Sequence, residues 1–121
     1  MKKIVIDLDK TITCGHDKDY EKVKPNLEII KKLNSYKDKG FSIIIYTSRN
    51  MRTYSNNVEK IKLNTLPKII KWLKKYNVPY DEIIIGKPWC GERGFYVDDK
   101  SIRPSEFLNL SYKEIKKIVD I

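Results

Sequence analysis

The chain has 121 residues, 40% of them apolar, with 5 glycines and 5 prolines. This length and composition predict a single compact domain over residues 1–121 and exclude a disordered or collagen-like chain. The net charge of +9 comes mainly from lysines spread over predicted helix surfaces, so it is weak evidence for nucleic-acid binding.

The first predicted element is a strand over residues 2–8. Its basic start resembles that of a secretory signal peptide, but the apolar run ends at once in Asp7 and Asp9. No apolar run approaches the roughly 18 residues needed to span a bilayer. We therefore expect a cytoplasmic protein with no membrane partner, whose two cysteines are reduced thiols.

Strands and helices alternate along the rest of the chain. Continuous apolar runs predict further strands over residues 41–47, 82–86 and 94–99. Helical spacing predicts helices over residues 25–40, 65–77 and 111–121, the last opening with a capping box of Ser111 and Glu114. This order predicts the α/β class, as a Rossmann-like three-layer sandwich with a mainly parallel central sheet.

Two connections are longer than a simple turn requires. Residues 12–24 follow the first predicted strand, and residues 50–64 follow the second. Open α/β sheets bind ligands at the carboxyl ends of their strands, and long loops in small domains are usually functional or mobile. Both loops are therefore expected to border a binding site.

Polar side chains follow every predicted strand. They are Asp7, Asp9, Thr11, Thr47, Ser48, Arg49, Lys87, Asp98 and Asp99. A parallel sheet brings these strand ends to one edge, and clustered carboxylate oxygens select Mg²⁺, which pairs with phosphate. Lysine and threonine can hold a phosphoryl group, and one carboxylate can attack phosphorus while another moves protons.

The motifs and their order resemble those of the haloacid dehalogenase superfamily of phosphohydrolases. The matching segments are "DLDKTIT", "IIIYTS", "IGKP" and "FYVDD", which span residues 4–99. Four further segments resemble the small phosphatases associated with bacterial capsular polysaccharide biosynthesis: "YTSRNMRTY", "NTLPKIIKWL", "VPYDEIIIGKPWCG" and "FYVDDKSIRPSEF". In many superfamily members a glycine stands where this chain has Lys10, whose role is left open.

The resemblance implies a covalent phosphatase mechanism. Asp7 is expected to be the nucleophile, and Asp9 to protonate the leaving oxygen and later activate water. Thr11 is expected to hold Asp9, Thr47 to bind phosphoryl oxygens, and Lys87 to neutralise charge on the nucleophile and the phosphate. These five residues are the catalytic candidates.

The resemblance also implies a Mg²⁺ cofactor. Asp98 is expected to ligate the metal together with Asp7 and the backbone carbonyl of Asp9. Asp99 is the fourth candidate in this set and is expected to act through water or a neighbouring backbone group.

Larger superfamily members carry an inserted cap domain, for which this chain has only the loops 12–24 and 50–64. With so small a cap, the site should admit bulky substrates or be closed by a neighbouring subunit of a homo-oligomer. The substrate-binding candidates are Ser48, Arg49, Arg52 and Trp89. The two arginines could bind a second anionic group by bidentate hydrogen bonds, and the tryptophan could stack on a sugar or base or pack on a helix.

The predicted function is Mg²⁺-dependent hydrolysis of a small phosphorylated sugar or polyol, an intermediate of capsule or surface polysaccharide biosynthesis. Alternatives are a polynucleotide or nucleotide phosphatase and, from another class, a phospho-accepting receiver-like domain. In a receiver the paired acids come first and the Lys-Pro last, the reverse of the order here. A zinc site of Cys14, His16 and Cys90 fits the usual ligand spacings poorly, and the roles of His16 and Arg103 stay open.

Overall fold

The protein is described by a computed structural model that covers residues 2–121. The chain divides into two compact units, Met1–Trp89 and Cys90–Ile121, called the first and second units below. The prediction that all 121 residues form one domain stays a prediction.

The first unit is built around a parallel sheet. Its elements are β1 (Lys3–Ile6), β2 (Thr13–Cys14), β3 (Lys24–Pro25), α1 (Leu27–Asp38), β4 (Ser42–Thr47), α2 (Val58–Asn64), α3 (Leu66–Lys75) and β5 (Glu82–Ile85). The sheet has the order β1-β4-β5 with both pairings parallel, and Ile6 lies opposite Ile45. The predicted α/β class and parallel central sheet are confirmed, and the first three predicted strands are present.

The helices of the first unit pack apolar faces into its core. In α1 the buried residues are Ile29, Ile30, Leu33 and Tyr36, and the Asn26 side chain caps its N-terminus by accepting the N–H of Ile29. In α3 the indole N–H of Trp72 donates to the Val23 carbonyl oxygen at 2.9 Å, which ties the helix to the loop 12–24. None of the helices within residues 2–121 is long and apolar enough to cross a membrane.

Both long connections contain regular structure that the sequence patterns did not predict. The antiparallel pair of β2 and β3 closes the loop 12–24, with Thr13 opposite Pro25. Helix α2 lies at the end of the loop 50–64, and its N-cap Asn57 accepts the N–H of Lys60. Two-residue strands and a seven-residue helix are too short to show a clear hydrophobic period.

The second unit contains α4 (Pro104–Asn109) and α5 (Tyr112–Ile118). The predicted capping box at the start of α5 is confirmed, since Ser111 and Glu114 bond reciprocally. The predicted fourth strand over residues 94–99 is wrong, because this stretch is irregular and then turns. A strand needs covered side chains and a paired backbone, and here Phe95 is 79% and Val97 is 87% exposed.

Candidate active site

The carboxyl end of β1 turns sharply and presents two carboxylates. The Leu8 carbonyl oxygen accepts the N–H groups of Thr11, Ile12 and Thr13 at 3.3, 2.9 and 3.0 Å. Lys10, at the tip of this turn, has a φ of +60° in the left-handed region, and its N–H donates to Thr13 Oγ1 at 2.9 Å. Glycine adopts this conformation without strain, which accounts for the residue type that the resemblance led us to expect there.

The strain at Lys10 predicts an inversion of the usual preference for alanine over glycine. We expect Lys10→Gly to exceed Lys10→Ala in free energy of unfolding by about 1 kcal/mol, measured by urea denaturation. At Lys31, an exposed position inside α1, the same pair of substitutions should differ by about 1 kcal/mol in the opposite direction. An alanine variant at position 10 as stable as the glycine variant would contradict this explanation.

Asp7 lies between a cation and a hydroxyl. Lys87 Nζ is 3.6 Å from Asp7 Oδ1, and Thr11 Oγ1 donates to Asp7 Oδ2 at 3.3 Å. Burial raises the pKa of Asp7 above its ordinary value, and the Lys87 ammonium group opposes that shift. The fold thus partly shields the Asp7 carboxylate from water, its side chain being 34% exposed, and leaves one oxygen close to a positive charge.

Asp9 is held by Arg49. The Arg49 Nη2 donates to Asp9 Oδ1 at 2.7 Å, and its Nε donates to both carboxylate oxygens at 3.2 Å. The arginine side chain is only 2% exposed, and its guanidinium carbon lies 4.3 Å from the centre of the Tyr20 ring. The Asp9 side chain is therefore held by Arg49 in this structure, and the hydroxyl of Thr11, which was predicted to hold Asp9, contacts Asp7.

Thr47, at the end of β4, organises both cationic residues of the site. It is 1% exposed, and its Oγ1 accepts the N–H of Arg49 at 3.1 Å. Its carbonyl oxygen accepts the N–H of Lys87, also at 3.1 Å. The middle strand of the sheet thereby sets the backbone from which one cation reaches Asp9 and the other reaches Asp7.

A polar cleft of about 350 Å³ adjoins this cluster. Its lining residues are Lys18, Asp19, Tyr20, Glu21, Arg49, Asn50, Tyr54, Asn64, Thr65 and Lys68. One wall is fixed by a hydrogen bond of 2.9 Å from Thr65 Oγ1 to Asn50 Oδ1. Most of these residues were not among the sequence-based candidates. The signal for them was the unusual length of the loops 12–24 and 50–64, from which all the lining residues except Arg49, Thr65 and Lys68 come.

The structure brings six of the predicted site residues together in the first unit: Asp7, Asp9, Thr11, Thr47, Arg49 and Lys87. Ser48 follows directly and is half-buried, whereas Arg52 and Trp89 are exposed. Asp98 and Asp99 belong to the second unit, where both are exposed, and Asp98 Oδ1 accepts the N–H of Lys100 at 2.8 Å.

The first unit has oxygen donors of the type that Mg²⁺ prefers, but fewer of them than the six ligands of a magnesium ion. Asp7 and the Asp9 backbone carbonyl supply the hard oxygen atoms that Mg²⁺ prefers, but the Asp9 carboxylate is bound to Arg49. Within residues 2–121 no group of three or more acidic, histidine or cysteine side chains is placed to hold a metal. Water, substrate oxygens or a further carboxylate would have to complete the six-fold coordination of Mg²⁺.

Comparison with known proteins agrees with the motif order. The model of a family described as haloacid dehalogenase-like hydrolases matches residues 4–120. A crystal structure of a protein from Vibrio cholerae is 52% identical and has a TM-score of 0.97, covering 99% of this chain and 98% of that one. No curated protein matches the chain.

Proposed function

Because this chain belongs to the family of haloacid dehalogenase-like hydrolases, we propose that it is a Mg²⁺-dependent phosphomonoesterase that forms an aspartyl phosphate. The observation that supports this most directly is the surroundings of Asp7, whose carboxylate lies 3.6 Å from the Lys87 ammonium group and beside the Asp9–Arg49 pair. A partly buried carboxylate next to a cation and a second carboxylate suits a nucleophile with its own proton carrier.

In the first step an Asp7 carboxylate oxygen attacks phosphorus, and the bond from phosphorus to the ester oxygen breaks. Asp9 gives its proton to the departing oxygen, so the alcohol leaves neutral. Oδ2 is the Asp9 oxygen suited to carry this proton, because it accepts only one hydrogen bond of 3.2 Å from Arg49. In the second step the ionised Asp9 takes a proton from water, which attacks phosphorus and releases phosphate and the Asp7 carboxylate.

Residues of this chain stabilise the negative charge of the phosphoryl group during its transfer. Lys87 neutralises negative charge between Asp7 and the phosphoryl oxygens, and Thr47 orients both Lys87 and Arg49. Mg²⁺, held by Asp7, the Asp9 backbone carbonyl and Asp98, would shield the nucleophile from the phosphate charge when bound.

The cleft favours a small hydroxylated leaving group. It is lined by amide, hydroxyl and charged side chains, and its 350 Å³ suit a sugar or polyol. Together with the resemblance to capsule-associated phosphatases, this supports a phosphorylated sugar or polyol of capsule or surface polysaccharide biosynthesis as substrate.

The direct test is a panel of sugar phosphates, polyol phosphates, nucleotides and 5′-phosphorylated oligonucleotides, assayed for phosphate release with Mg²⁺ and with EDTA. We expect Mg²⁺-dependent release from a sugar or polyol phosphate. If nucleotides or oligonucleotides are cleaved in preference to sugar and polyol phosphates, they are the substrate class. If no phosphate ester is cleaved, the proposal is overturned.

Lys68 in the cleft should contribute to binding and not to chemistry. We expect Lys68→Ala to raise KM about 3- to 10-fold for substrates with a second anionic group and to leave kcat unchanged, as befits one partly exposed charge. Lys71→Ala is the matched control, since Lys71 is an exposed lysine of α3 that does not line the cleft. Equal effects of the two substitutions would exclude the cleft as the binding site.

A further inference from the structure

One face of the parallel sheet has exposed apolar side chains. Val5 of β1 is 61% exposed and Ile84 of β5 is 41% exposed. Register places Val5 opposite Ile44 and Ile84 opposite Tyr46, so all four alternate onto the same face. Parallel sheets in α/β proteins are buried on both faces, and this one is uncovered at two of its three strands.

The same sheet ends in a strand that can accept a further one. In the order β1-β4-β5, strand β1 is an outer strand and pairs through Lys3–Ile6 with β4. An edge strand with an exposed valine is a template for another extended backbone. Because Asp7 directly follows β1, any strand added there would lie beside the nucleophile.

The second unit carries a segment with matching properties. Residues 94–99, here called the acidic segment, end in Asp98 and Asp99. In this segment Phe95 is 79% exposed and Val97 is 87% exposed. The segment follows a tight turn in which a Cβ on Gly94 would lie 2.1 Å from the Cys90 carbonyl oxygen. Tyr96, between Phe95 and Val97, is also 49% exposed, so this run of aromatic and β-branched residues suits a strand but has no sheet to cover it within the second unit.

We propose that two copies of this chain exchange their second units, the acidic segment of each pairing with β1 of the other. The pairing is parallel, because both strands end in acids and only parallel pairing puts the two acidic ends at one edge. Asp98 of the partner subunit then joins Asp7 at the site and supplies oxygen donors that the first unit lacks. This part of the inference rests on the proposed function.

A second copy is the occupant that the exposures favour. Within the first unit no element covers Val5 and Ile84, and within the second unit no element covers Phe95 and Val97. Reciprocal exchange pairs the β1 edge of both copies in a closed two-fold dimer and gives Val5 and Val97 of each copy a neighbouring strand.

Oligomeric state tests the exchange without reference to activity. We expect the wild-type protein to sediment as a dimer, or as an assembly of dimers, and Val97→Asp to sediment as a monomer with unchanged circular dichroism. Leu63→Asp is the matched control, because Leu63 is 77% exposed on α2 and should not affect assembly. A monomeric wild type, or a Val97→Asp protein that assembles like the wild type, would overturn the proposal.

Mixing inactive variants tests which copy supplies which carboxylate. Asp7→Asn and Asp98→Asn are each expected to be inactive, and the two should regain about a quarter of wild-type activity when unfolded together and refolded. Random refolding makes half of the dimers mixed. A mixed dimer has two sites, of which one has both native carboxylates and the other has neither, so a quarter of all sites are native. Mixed dimers without recovered activity would overturn the exchange.

The two proposals fail in distinguishable ways. If the wild type cleaves no phosphate ester, the proposed function fails and the sedimentation of Val97→Asp alone decides the exchange. If the wild type is active and mixed dimers stay inactive, the exchange fails and the proposed function stands.

Discussion

Asp7→Asn is expected to abolish hydrolysis of every phosphate ester that the wild-type protein cleaves, with a loss of kcat on the order of 10⁴-fold or more. The amide cannot form the acyl phosphate, and the geometry allows no substitute, because the neighbouring Asp9 is bound by Arg49 at 2.7 Å. The measurement is phosphate release at saturating substrate, with trapping of the phosphorylated protein as a second readout. Labelled phosphate retained by the variant would contradict the assignment of the nucleophile.

The same variant should be at least as stable as the wild type, which separates loss of chemistry from loss of fold. Burial raises the pKa of Asp7 above its ordinary 3.8, so the folded state binds this proton more tightly than the unfolded state does. Stability from this group is therefore lost as pH rises from 3.8 through the raised pKa, and then stays level. In EDTA, the free energy of unfolding from urea denaturation should be higher for Asp7→Asn than for the wild type, and the difference should be larger at pH 7 than at pH 4. The opposite trend would contradict the sign.

Removing Asp9 is expected to impair both chemistry and folding. Asp9→Ala leaves the Arg49 guanidinium, 2% exposed, without its carboxylate, and removing one partner of a buried ion pair typically costs about 3 kcal/mol. Activity should fall about 10²- to 10⁴-fold from loss of the proton carrier. Arg49→Met should cost less stability, because the Asp9 side chain remains 34% exposed and keeps some hydration.

The double variant separates the two effects. Asp9→Ala with Arg49→Met should recover most of the stability lost in Asp9→Ala, because no buried charge remains, and should recover none of the activity. Urea denaturation and phosphate release on the four proteins of this cycle give the coupling free energy directly. If the double variant is as unstable as the sum of the single variants, the pair does not hold the site together.

Much of the first unit follows from local pattern. Continuous runs of isoleucine and valine predicted the three strands of the sheet, and a seven-residue stretch such as "FSIIIYT" has few alternatives to a buried strand. The helices α1 and α3 follow from apolar residues at helical spacing. The positions of Asp7, Thr47 and Lys87 at strand ends placed them at one edge of the sheet before any distance was known.

The side-chain contacts of the site could not be predicted from the sequence pattern, because they join residues that are distant in sequence. The sequence predicted Arg49 as a substrate-binding residue, and only its burial against Tyr20 and Asp9 shows that its guanidinium group contacts the Asp9 carboxylate. The cleft depends on α2 and on Thr65 reaching Asn50, contacts that no periodicity encodes. Side-chain partners across such separations are decided by how the loops pack.

Residues 94–99 show the division most clearly. By itself the sequence determined that "GFYVDD" is apolar, suited to a strand and ends in two acids. Tertiary structure alone decided that it is not a strand in this chain, since Val97 remains 87% exposed. Local preference makes a backbone ready to extend, but a strand exists only where another backbone satisfies its hydrogen bonds and another surface covers its side chains.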